Sequence, residues 1–205
     1  MPRDSETSIR GHCEWFRKSN WRWRVVDFRT KPPLIYRFVR GYGMDAKRFS
    51  PWVRWDDRNK LPDLKYPGVY AITISENALV GQRFSWVKEI VYFGMTNAVA
   101  GLRGRLKQFD NTLDGKLGHG GADRFRHSYP KRTDLVARLY VAVATFDCKV
   151  NSDTPADLLV MGDVAKAEYE CLAQYAKAFK CRPKYNDKKV SPKYSKTKGV
   201  SKGKK

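Results

Sequence analysis

The chain has 205 residues, 41% of them apolar, which is enough for the core of one domain with extensions rather than for several domains. Lys and Arg outnumber Asp and Glu by 41 to 21, a formal net charge of +20, so a polyanion is the expected partner. No apolar run approaches the roughly 18 residues of a membrane span, and the start MPRDSETSIRGH has no signal-like apolar core, which predicts a cytoplasmic protein without membrane contact.

Residues 1–65 hold five of the six tryptophans, and EWFRKSNWRWRVVDFR and RFSPWVRWDD interleave aromatic with basic side chains. Such a pattern suits stacking on bases beside paired phosphates, so 1–65 is expected to be an extension for DNA contact or dimerisation, with Trp21, Arg22, Trp23 and Arg24 touching DNA. The other reading of the same residues is a tryptophan core rimmed by snorkelling arginines.

Pro67-Gly68 breaks the pattern. After it VYAITIS reads as a strand, and a second strand is expected at roughly 86–93, the two forming an antiparallel hairpin with a long turn. A short helix is expected near 101–109, and the glycine-rich DGKLGHGGADR reads as a loop. LVARLYVAVATF, 135–146, reads as a third, mostly buried strand. Asp153-Thr154-Pro155 opens a helical region that runs with one or two breaks to about Phe179. From 188 the chain is lysine-rich with almost nothing apolar, which predicts a disordered basic tail over 188–205. Cys13, Cys148, Cys171 and Cys181 have no CxxC spacing, so reduced thiols are expected rather than a zinc site.

Taken in order, Gly68-Val69-Tyr70, Tyr92-Phe93-Gly94, LRGRL, a helical glutamate and Lys184-Tyr185-Asn186 resemble the GIY-YIG nuclease superfamily over residues 66–187. The resemblance implies an α+β fold in which a small three-stranded antiparallel sheet is flanked by helices. It also implies hydrolysis of DNA phosphodiesters with one divalent metal, Mg²⁺, with Mn²⁺ able to substitute. Tyr70 then takes the place of the family tyrosine that draws a proton from water, and Tyr92 that of the tyrosine orienting water and substrate. Arg105 in LRGRLKQF is expected to hold the scissile phosphate. Its rival is Arg124 in GADRFRH, with His127 beside it, because NAVAG is longer than the loop of compact members and Phe109 stands where many have histidine. His119 falls where homing members carry a functional histidine, and Arg103, Lys107 and Arg126 are expected phosphate contacts. Asn186, in the closing motif, is expected to fix the shape of the cluster.

The chemistry can be weighed residue by residue. Phosphodiester hydrolysis needs an activated water, neutralised phosphate charge and a stabilised leaving oxygen. A tyrosine with the usual pKa of about 10 must have it lowered, or pass its proton on, to act as a base near neutrality. In VAKAEYECLAQYAKAF, Val164, Glu168, Leu172, Tyr175 and Phe179 share one helix face, whereas Glu170 falls on the polar face. Spacing therefore selects Glu168 as the metal ligand, since an inward carboxylate wants a cation.

The expected protein is a sequence-specific type II restriction endonuclease acting on double-stranded DNA, of bacterial or phage origin, with a homodimer as one route to double-strand cleavage. A phage or mobile-element nuclease of lower specificity is the alternative within the class. A basic DNA-binding module without turnover is the alternative outside it.

Overall fold

The computed structural model describes residues 44–116 and 118–193, so the expected DNA contacts Trp21, Arg22, Trp23 and Arg24 lie outside the described residues. GVYAITI and LYVAVAT, rich in β-branched and aromatic residues with no polar alternation, form β2 (Gly68–Ile74) and β4 (Leu139–Thr145), buried on both faces for almost their whole length. With β1 (Val53–Arg54) and β3 (Ile90–Thr96) they make one antiparallel sheet in the order β1-β4-β2-β3. The sheet thus has four strands, not three. The fourth is β1, two residues paired to Val141 and Tyr140, too short to leave a periodic signal.

Helices cover both faces. On one, Tyr70, Ile72, Val141 and Val143 pack against Leu102, Leu106 and Phe109 of α1 (Gly101–Leu113), Phe125 of α2 (Ala122–Ser128), and Leu135 and Val136 of α3 (Arg132–Val136). On the other, Val69, Ala71, Ala142 and Ala144 pack against Val164, Ala167, Cys171 and Tyr175 of α4 (Pro155–Phe179), with Trp52 and Phe84. The mixed α+β class is as expected. Among the described residues no helix is long and apolar enough to cross a membrane.

Several element bounds differ from the sequence reading. The second strand is Ile90–Thr96 rather than 86–93, because Gly94, Met95 and Thr96 still pair with Tyr70, Val69 and Gly68. Trp86 instead lies between Phe84 and Phe93 as a core side chain. The third strand starts only at Leu139, since Leu135 and Val136 sit in α3; a short apolar run does not distinguish helix from strand. α1 runs four residues past Phe109, and Ala122, Asp123 and Arg124, expected in the glycine-rich loop, are helical together with Arg126 and His127. α4 is unbroken: the Thr154 hydroxyl accepts from the Asp157 amide, Pro155 occupies the first turn, and Lys180 ends the helix at φ 59°.

Both ends of the domain reach further than the motif span. Trp52 and Trp55 are 2% and 0% exposed, so the RFSPWVRWDD tryptophans are core, not stacking platforms. At the other end Ser191 is 2% exposed and bonded to Arg124, although it belongs to the segment expected to be a tail, whereas residues 188–190 before it are exposed.

Candidate active site

The β2–β3 register builds the centre of the site. Tyr70 lies opposite Gly94 and Ile72 opposite Tyr92, so the tyrosines are diagonal neighbours on one sheet face, ring centroids 5.9 Å apart. A Cβ on Gly94 would come within 2.5 Å of the Tyr70 hydroxyl and 2.8 Å of the Tyr92 ring. Only glycine lets both rings lie down over the strand.

The loop after α1 closes over these rings. His119 is 1% exposed, and its ring sits edge-on to Phe109 at 4.8 Å. Nε2 is 2.9 Å from the Tyr70 hydroxyl, while Nδ1 accepts the amides of Gly121 and Ala122, each at 3.1 Å. Two donors aimed at Nδ1 leave no room for a proton there, so the neutral ring carries it on Nε2 and donates to Tyr70. Burial, aided by the Arg105 charge, pushes the imidazole down to about 3, which keeps it neutral. Gly121 makes the same allowance as Gly94, since a Cβ there would lie 2.7 Å from the Tyr92 hydroxyl.

The tyrosines differ in access. Tyr70 is fully buried, and burial raises its phenol well above the usual value. Tyr92 is partly exposed; burial raises it too, and the Arg105 charge opposes the shift. Tyr92 adds to the rise at Tyr70, while the Arg105 charge opposes the rise at both phenols. His119 thus donates to Tyr70, which lies against Tyr92 with ring centroids 5.9 Å apart.

Arg105, on the second turn of α1, places its charge on Tyr70, Tyr92, His119 and Glu168 together. Its Nη1 donates to Gln108 Oε1 at 2.8 Å, and its Nε is buried without a partner among the described residues. The rival Arg124 is 7% exposed and donates through Nη1 to the backbone carbonyl and the hydroxyl of Ser191, tying the end of the domain to α2. Of the two, Arg105 is the arginine whose charge reaches both tyrosines, the histidine and the glutamate. Arg126 lies 3.9 Å from Asp123, and Nε2 of His127 is buried without a partner among the described residues. Arg103 and Lys107 are exposed one turn apart on α1.

Glu168 does not sit in the middle of the buried stripe of α4, which is Val164, Ala167, Cys171 and Tyr175. It lies at the stripe's edge, half-buried, and this offset turns its carboxyl toward Tyr92 and Arg105. Burial raises the carboxyl, the Arg105 charge opposes this, and no described residue forms an ion pair with it. Glu170 pairs with Lys166 at 3.7 Å on the polar face, as its spacing predicts. No group of three or more His, Cys, Asp or Glu side chains gathers among the described residues, so there is no all-protein metal cage. One half-buried carboxylate does fit Mg²⁺, which keeps several waters and takes substrate phosphate as ligand.

Asn186 spans the open edge of the sheet. Its Nδ2 donates to the Phe93 carbonyl and its Oδ1 accepts the Phe93 amide, both at 2.8 Å, while the Tyr185 amide donates to the Val91 carbonyl at 2.9 Å. One side chain thus serves β3 as a missing neighbour strand, next to Tyr92.

Sequence reasoning passed over Gln108, Thr112 and Gly121, and it named Gly94 only as part of a motif, without the close approach of Tyr70 that requires glycine there. Gln108 and Thr112 carry a signal in hindsight, lying three and seven residues after Arg105 on one helix face. Compared with known proteins, the chain matches no family model, no curated protein and no solved structure.

Proposed function

We propose that the protein is a metal-dependent DNA endonuclease of the GIY-YIG type, cutting phosphodiesters to 5′-phosphate and 3′-hydroxyl ends. What carries the reading is the convergence of Tyr70, Tyr92, Arg105 and Glu168 with a histidine locked as a donor behind the first tyrosine. These are the groups that water activation, phosphate binding and leaving-group stabilisation require. The four-stranded sheet carries both tyrosines on one face in the order GVY, YFG, as the family's motifs would.

The roles follow from access and from the direction of the hydrogen bonds. Tyr70 is closed to bulk water, so the part first given to it passes to Tyr92. Tyr92 is the tyrosine that solvent reaches, and the Arg105 charge favours its phenolate once its own proton has left to solvent. That phenolate takes a proton from the attacking water as the water oxygen bonds to phosphorus. The bond from phosphorus to the 3′ oxygen then breaks, and that oxygen takes up a proton from solvent. Arg105 holds the phosphate through donors its protein partner leaves unused. Glu168 is the residue that would hold Mg²⁺ (or Mn²⁺), which when bound supplies charge stabilisation at the leaving oxygen. His119 orients Tyr70, and Asn186 holds β3 in register.

The net charge of +20 fits a double-stranded DNA partner, and exposed Arg103 and Lys107 extend the basic surface of α1. We assign the chain to sequence-specific type II restriction, with paired copies making the double-strand cut. Incubating the protein with long DNA and Mg²⁺, with EDTA as control, tests this. Discrete fragments support a restriction enzyme and a smear a phage or mobile-element nuclease of lower specificity. A salt-sensitive mobility shift with no cutting would leave only a binding module.

A further inference from the structure

Three side chains of α1 meet the loop that carries His119. Arg105, Gln108 and Thr112 follow one another on one helix face. Gln108 Oε1 accepts from Arg105 Nη1 at 2.8 Å, and Gln108 Nε2 donates to the Gly118 carbonyl at 3.0 Å. The amide has one workable orientation, because turned over it would set its NH₂ against the guanidinium and its oxygen against the carbonyl. Thr112 grips the next residue: its hydroxyl donates to the Gln108 carbonyl at 3.0 Å and accepts the His119 amide at 3.1 Å. The Gly118 backbone, at φ 140°, lies flat on this grip, since a Cβ there would be 3.2 Å from Gln108 Nε2.

We propose that Gln108 is a positioning residue that seats Arg105 and His119 with one side chain, so that the guanidinium holding the phosphate and the histidine behind Tyr70 are set together. The proposal rests on the nuclease reading. Of the five guanidinium donors, Gln108 takes one at Nη1, which fixes the plane of the guanidinium that is to hold the phosphate. Toward the loop, the bond to Gly118 fixes the residue immediately before His119, and with it the 2.9 Å contact to Tyr70. A shift of Gln108 therefore disturbs phosphate binding and tyrosine orientation at once.

The test compares wild type with Gln108→Met, which keeps volume and helix propensity but loses both bonds, and Gln108→Glu, which keeps the acceptor for Arg105 but loses the donor to Gly118. With melting near wild type, Gln108→Met is expected to lower kcat roughly 10- to 100-fold, the range for losing a partner that orients a site group. Gln108→Glu is expected to raise KM, because its carboxylate competes with the phosphate for Arg105. In a double-mutant cycle, Gln108→Met combined with His119→Ala should lose less kcat than the product of the two single losses, because the part of the effect that runs through His119 is already gone, whereas independent effects would multiply. The imidazole ¹⁵N signals of His119 give a readout that needs no turnover, and they should move in Gln108→Met. Unchanged kcat with unmoved signals, or multiplying effects in the cycle, would overturn the proposal. Absence of cutting by wild type, with signals that do move, would overturn the nuclease reading and leave the link from Gln108 to His119 standing.

Discussion

His119 donates from Nε2 to the Tyr70 hydroxyl at 2.9 Å, and the other side of its ring fixes that role, Nδ1 being held by the amides of Gly121 and Ala122. A histidine bound in this way cannot act as a base at either nitrogen. It sends its hydrogen bond one way, into Tyr70, whose ring lies against that of the more accessible Tyr92.

Tyr92→Phe should therefore lower cutting by about 10²- to 10⁴-fold, the usual weight of a general base. Tyr70→Phe should cost less, on the order of tenfold, since it only polarises its neighbour. Wild-type cutting should rise by about one decade per pH unit above neutrality, because burial raises Tyr92 and the base form is scarce there. The slope should survive in Tyr70→Phe and vanish in Tyr92→Phe. Single-turnover rates across pH decide this, and a slope lost only in Tyr70→Phe would return the base to Tyr70.

Replacing Glu168 with Gln or Ala should abolish cutting while leaving DNA binding intact or slightly tighter, since one negative charge near the phosphate is removed. Filter binding alongside cleavage checks both halves. Normal cutting by Glu168→Ala with Mg²⁺ present would remove Glu168 from the metal site.

Gly94→Ala places a methyl where the Tyr70 hydroxyl and the Tyr92 ring already lie, so strand or rings must shift. We expect a loss of about 1–3 kcal/mol, as for other overpacked sites, and a larger fractional loss of activity. Thermal melting with a cleavage assay checks it, and wild-type values for both would contradict the tight apposition.

Acid stability offers a readout independent of any function. His119 is held neutral down to about pH 3 in the fold but protonates near its ordinary value of about 6.5 when unfolded. The unfolded chain binds the extra proton, so this contribution is full above pH ~6.5 and is lost as pH falls toward 3, by at most about 1.4 kcal/mol per unit. Glu168, raised in the fold, works in the opposite sense over part of that window. Comparing His119→Gln with wild type cancels the Glu168 contribution, and the variant should lose less stability on acidification. Parallel urea curves at every pH would mean that His119 is not buried neutral.

Much of the architecture was legible because its signals are local. β2 and β4 announce themselves by β-branched content, and α4 by Thr154, Pro155 and its apolar stripe. What was not legible depends on partners distant in the chain. β1 exists only because β4 offers an edge, and the reason for glycine at 94 appears only once Tyr70 is known to lie across from it. Glu168 was selected for an inward face, yet it reaches Arg105 because it sits at that face's edge. The loop around His119 offered only glycines and one histidine. That the ring packs on Phe109 follows from the fold alone.

Hydrolysis at phosphorus through the cluster around Tyr92 is best tested by cutting a mixture of long phage and plasmid DNAs in ¹⁸O-water with Mg²⁺. The expected ends carry 3′-hydroxyl and ¹⁸O-labelled 5′-phosphate, formed by wild type and not by Tyr92→Phe or Glu168→Ala. Label on a 3′-phosphate, equal cutting by the variants, or intact DNA after incubation with wild type would contradict it.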